Sequence, residues 1–175
     1  MRILKNFFFI TIILLLSNNL LKADDKVAYI DIDFILATTL SGKLLLDNLK
    51  KEEQLKVNEF KEIDKRFKND ENKILAKKNL ISKEEVNKEM KSLQIKFQKY
   101  KENKNREINE LKKKRNRNIM NFLNLINPII EKYMDDNSIY ILLDKKNIFI
   151  ASKNYDITNK LIELINNQIK TVDIK

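Results

Sequence analysis

The chain has 175 residues, with 35 Lys and Arg against 25 Asp and Glu and a formal net charge of +10. It has no histidine and no cysteine, which removes Ser-His-Asp and Cys-His nucleophilic sites, the common zinc sites and any disulfide. With a single glycine there is no Gly-rich phosphate loop either, so a non-enzymatic role without cofactor or metal is expected.

Residues 1–23 read as an export signal: Arg2 and Lys5 form a basic start, Phe7–Leu16 is apolar except for Thr11, and Leu21-Lys22-Ala23 is a cleavage signal. The apolar run is short of the ~20 residues a membrane-spanning helix needs. Next, Val27-Ala28-Tyr29-Ile30 is apolar on both faces, the pattern of a buried strand over Lys26–Ile32. Asp31 and Asp33 could hold a metal or share acid–base work, but capping a short helical turn over Phe34–Thr39 is the simpler role. Ser41 and Gly42 then mark the start of a long helix.

From Gly42 to Ile126 apolar residues recur at alternating steps of three and four, with a break near Asn79–Ser82. This is a heptad seam folded back on itself. Ser82 with Glu85 predicts a capping box that starts the returning helix. A paper register pairs Ile74 with Val86, Phe67 with Leu93, Ile63 with Phe97, Phe60 with Tyr100 and Leu49 with Leu111. Two layers of that register are not apolar: Glu53 opposes Glu107 and Lys56 opposes Lys104, like charges that the diagonal pairs Glu53–Lys104 and Lys56–Glu107 partly offset, a solvated waist expected to act as a hinge. Helices of ~37–44 residues make an arm of roughly 55–65 Å at 1.5 Å per residue. The arm holds 24 basic and 14 acidic residues. The densest cationic run is Lys112, Lys113, Lys114, Arg115 and Arg117, the candidate for electrostatic steering of a partner. Read as a nucleic-acid site it is weak, because the chain is expected to be exported.

Asn127-Pro128 predicts an N-cap followed by proline at the first helical position, so the returning helix should break there. Ile139–Leu143 and Ile148–Ala151 read as two strands of a hairpin around Asp144-Lys145-Lys146-Asn147. Asp156 is placed as the N-cap of a last amphipathic helix, with Ile157, Leu161, Leu164, Ile165 and Ile169 on its inner face. The expected division is a signal at 1–23, an arm at 42–127 and a discontinuous body at 24–41 and 128–175. That body is too small for an ample core and has open strand edges, which points to self-association through it, with Tyr29, Ile30, Tyr140 and Leu142 as candidate contact residues. The fold class is α+β, mostly α: a long antiparallel coiled-coil hairpin on a small β body.

The order of these parts carries a resemblance. Lys26-Val-Ala-Tyr-Ile-Asp, then Ser41-Gly42-Lys43, a long basic hairpin, Tyr140-Ile-Leu-Leu-Asp and Asp156-Ile157-Thr158 together resemble the Skp/OmpH family of periplasmic chaperones. The resemblance implies a jellyfish-like homotrimer whose strands form a barrel-like body and whose three arms enclose a cavity. It also implies that unfolded outer-membrane proteins are held there without ATP, in the periplasm, before membrane insertion. Anionic lipid or lipopolysaccharide is a further partner that the family suggests, with no residue here assigned to it. The alternative is a periplasmic coiled-coil scaffold or adaptor that binds envelope polyanions.

Overall fold

The structure is a computed structural model that describes residues 26–170; the expected export signal lies outside them. Strand β1 (Lys26–Ile30) leads into helix α1 (Ile32–Thr38), and α2 (Leu40–Ala76) and α3 (Lys83–Asp136) form the hairpin. Strand β2 (Ile139–Asp144) and helix α4 (Thr158–Gln168) complete the body. At 37 and 54 residues the two long helices run roughly 55 and 80 Å.

Local chemistry starts each helix. Asp31 caps α1, accepting from the Phe34 N–H at 2.9 Å. The Thr39 hydroxyl caps α2, accepting from the Gly42 N–H at 3.2 Å. The first helical residue is therefore Leu40, two before the expected start. Ser82 and Glu85 form both halves of the capping box, at 3.1 and 3.3 Å. The Leu40 N–H, which helix geometry leaves without an intrahelical acceptor, donates to Asn166 Oδ1 at 2.8 Å and ties α4 to the foot of the arm.

The core joins Ile30, Ile35 and Leu36 to Leu45 and Leu49 of α2, Phe122, Ile126, Ile129 and Ile130 of α3, and Leu161, Ile162 and Ile165 of α4. Both long helices thus run past the expected boundaries at 41/42 and 127/128, and their bases supply much of the body's core. This also explains Pro128, which lies inside α3 rather than at a break. Proline in a helix interior costs about 3 kcal/mol. Each large apolar side chain buried beside it, Phe122, Ile126, Ile129 and Ile130, contributes roughly 1.5–3 kcal/mol, so continuity wins.

The sheet differs from the expected hairpin. β1 and β2 pair in parallel, Ala28 with Leu142 and Ile30 with Asp144, and 148–151 forms no strand. The Asp144 carboxylate accepts from the Lys146 N–H at 3.2 Å and winds Lys145–Asn147 into a right-handed 3₁₀ turn. Such a turn splays the flanking chain, whereas tight hairpins need the mirror-image turns. The far edge of β1 is taken by the Asp156 region, where the Ile157 N–H donates to Tyr29 O at 3.1 Å. Asp156 accordingly sits one residue further out than expected: Ile157 is the N-cap, and the Asp156 carboxylate accepts from the Thr158 N–H and hydroxyl.

Candidate functional site on the helical arm

Most of the expected seam residues lie between the two helices. Leu49, Phe60 and Ile74 are buried, while Ile63, Phe67, Val86, Leu93, Tyr100 and Leu111 are half-buried and Phe97 is the most open. Phe67 meets the Phe97 ring edge-on at 5.1 Å and Tyr100 at 5.3 Å, and the Tyr100 hydroxyl donates to Phe60 O at 3.1 Å.

The register is not the one drawn on paper. Contacts across the arm join Glu52 to Lys114, Lys56 to Glu107, Asp64 to Lys104, Phe67 to Phe97 and Lys77 to Glu89. Apart from the Tyr100–Phe60 bond, each of these partners lies three to eight residues, about one to two helical turns, further along α3 than expected. Part of the offset is geometric. Side chains of both helices lean toward their own N-termini, and in an antiparallel pair the two leans add. Of the two diagonal pairs expected to relieve the like charges of the waist, one forms and the other does not. Lys56 pairs with Glu107 at 2.9 Å and also with Glu59, Lys104 turns away to Asp64 at 2.8 Å, and Glu53 is exposed. The hydrogen bonds Lys56 donates to Glu59 and then to Glu107 raise its pKa, and Lys56 in turn holds Glu107 below its ordinary value. Opposed charges close this layer, which stays polar within an otherwise apolar seam.

Lys104 is the residue that sequence reasoning misplaced most. Its ammonium sits 5.3 Å from the Phe60 ring centre and 5.5 Å from that of Tyr100, while Asp64 hydrogen-bonds it. Lys104 holds the Asp64 carboxyl below its ordinary 3.8, and burial is the main cause that raises the Tyr100 hydroxyl. A depressed carboxyl stabilises above its unfolded pKa and loses that contribution as pH falls through its folded value. With the Asp64 side chain 46 % exposed the effect is at most about 1 kcal/mol. Lys104→Met should lower the arm's melting point more at pH 6 than at pH 2, where the ion pair is gone and only the ring contacts are left to lose. An equal deficit at both pH values would show that packing on Phe60, not the ion pair, is what the lysine provides.

Two apolar grooves open on one face of the arm. The inner one, about 440 Å³, is lined by Leu49, Val57, Phe60, Ile108 and Leu111, and the outer, about 710 Å³, by Phe67, Met90, Leu93 and Phe97. Asp64 and Lys104 line both and stand between them. No periodicity argument locates these grooves, because they depend on how far the helices separate.

The cationic run is divided by its surroundings. Lys113 pairs with Glu110 at 2.8 Å and Lys114 with Glu52 at 2.9 Å, whereas Lys112 and Arg115 line the inner groove. Arg117 acts on Glu110 through space. In the body Tyr29 and Ile30 are buried, and Leu142 packs against the core of its own chain. Tyr140 is 68 % exposed, Ile150 84 %, and Phe149 fully so. Asp31 spends its carboxylate on the α1 cap and on Lys145 at 3.0 Å. Among the described residues no helix is long and apolar enough to cross a membrane.

Residues 26–165 match the family model of outer membrane protein (OmpH-like). The fold is similar to a crystal structure from Caulobacter crescentus CB15 at 2.83 Å, described as an outer membrane chaperone (OmpH-like). Its TM-score is 0.73 at 20% identity, over 84% of this chain and 87% of that one. No curated protein matches the chain.

Proposed function

We propose, from the premise that this chain belongs to the OmpH-like family of outer membrane proteins, that it is an ATP-independent holdase of the periplasm. It captures unfolded outer-membrane proteins between helical arms and keeps them from aggregating before insertion. Residues 1–23 direct export and are removed. The body, built on 24–41 and 128–175 with the feet of the arm, holds three copies together. The observation that carries the reading is the arm itself. It is a long basic hairpin with apolar grooves open along one face, a surface suited to chains that expose apolar side chains and no fixed shape. Trimerisation is supported by the open outer edge of β2 and by Tyr140, Phe149 and Ile150, apolar surface that a folded chain normally covers.

The test is dilution of a urea-unfolded β-barrel protein into buffer with the mature chain and no nucleotide. Light scattering should stay at baseline at one trimer per client, and the chaperone alone should have the mass of three chains. Rapid aggregation of the client, or a monomeric mass at micromolar concentration, overturns the reading. Capture should slow as salt rises from 0.1 to 1 M, because the Debye length falls from about 10 Å to about 3 Å. Replacing Lys112, Lys113, Lys114 and Arg115 by glutamine should slow it similarly. If the chain instead binds anionic polymers and leaves the unfolded barrel to aggregate, the envelope-scaffold reading takes its place.

A further inference from the structure

Asp64 and Lys104 lie at the boundary of both grooves, and the lining residues on either side of them fall on one helical phase. Lys61, Asp64, Lys68 and Glu71 follow one another at three- and four-residue steps on α2, as do Phe97, Lys101, Lys104, Ile108 and Leu111 on α3. The grooves are thus two stations on one track, separated by a charged bar. The centres of their linings are about 11 to 13 residues apart along each helix, roughly 16–20 Å. An extended chain covers that distance in about six residues at ~3.3 Å each, and side chains at i and i+6 point the same way.

From this geometry we infer that the face binds one extended, acidic polypeptide segment that seats a bulky apolar side chain at i in one groove and a second at i+6 in the other. This rests on the client-binding reading above and specifies what is recognised. Charge selects the acidic character. Lys61, Lys68, Lys101, Lys112 and Arg115 line the grooves without an ion pair among the described residues, against Glu53 and Glu71 in the same position. The bar selects a peptide over an acyl chain. A hydrocarbon laid across it would strip water from an ion pair and return nothing. A backbone crossing the same place offers N–H groups to the Asp64 carboxylate and carbonyls to the Lys104 ammonium. Transmembrane β-strands alternate apolar and polar side chains, so they present bulky residues at even spacing on one face.

Fluorescence anisotropy of labelled eleven-residue peptides tests this on the full mature chain. Both peptides carry two phenylalanines in the same Ser, Thr and Asp background, one with the pair at i and i+6, the other at i and i+5. The even spacing should bind about tenfold more tightly, since only it seats both rings. Val57→Trp fills the inner groove and Gln94→Trp the outer, both from exposed positions. Each should abolish the preference. Equal affinity for the two peptides overturns the proposal, and so does a preference that survives both tryptophans. Aggregation suppression is read in parallel on the same protein. If wild type protects an unfolded barrel while ignoring peptide spacing, the two-station face is wrong and the chaperone reading stands. If it discriminates the peptides but protects nothing, the face stands as a peptide site and the chaperone reading falls.

Discussion

Gly42→Ala is expected to destabilise the chain by about 2–3 kcal/mol, against the usual direction of that substitution in a helix. Inside a helix alanine is better than glycine by about 1 kcal/mol. Here that gain is outweighed by a collision. A Cβ on Gly42 would stand 2.1 Å from the Leu36 carbonyl oxygen and 2.7 Å from Thr39 Oγ1. Thr39 alone separates α1 from α2, so the end of α1 rests directly on the first turn of α2. The atom in the way is backbone, and it cannot rotate aside as a side chain would. Leu36 is itself buried in the core, so moving it disturbs Ile35 and Leu45 as well. The neighbouring Ser41→Ala is the control. Ser41 is buried and its hydroxyl has no hydrogen-bond partner among the described residues, so its removal should be neutral or stabilising. Urea denaturation at fixed protomer concentration measures both. A gain in stability for Gly42→Ala would mean that α1 can slide off α2 at little cost, and that the body is looser than its packing implies.

The parts legible in the sequence are those governed by short-range rules. The Ser82–Glu85 box, the strand at Val27–Ile30 (buried from Ala28 on) and the long amphipathic helices follow from neighbours a few positions apart. The misplaced parts each depend on something non-local. A heptad seam is nearly unchanged when one helix slides by a turn, so counting apolar layers could not separate the drawn register from the real one. The ion pair Asp64–Lys104 belongs to the real one, whereas Lys56–Glu107 is a diagonal common to both. Pro128 breaks helices by local rules, and here tertiary burial of its neighbours overrides them. Ile148–Ala151 has the composition of a strand but pairs with nothing among the described residues, since the turn at Asp144 carries it away from the outer edge of β2 while β1 is flanked by β2 and Asp156. That last case bears on function, because a strand-like segment left over is apolar surface turned outward.

Two phenylalanines separate the chain's own stability from that of its assembly. Phe122 is fully buried where α3 crosses the core, so Phe122→Ala should cost about 3–5 kcal/mol through lost burial and the cavity left behind. That loss belongs to each chain and should appear at every protein concentration. Phe149 is fully exposed, and in a lone chain its replacement by alanine should change stability by less than about 0.5 kcal/mol. If the proposed trimer covers it, the same substitution weakens a contact that exists only between copies. Its effect is then set by mass action. At low protomer concentration the Phe149→Ala midpoint in urea should coincide with wild type, and at high concentration it should fall below it, with a matching loss of trimer by light scattering. A Phe149→Ala deficit independent of concentration would place Phe149 against its own chain. No deficit at any concentration would remove it from the interface, leaving Tyr140, Ile141 and Ile150 among the outward apolar residues through which the body could close.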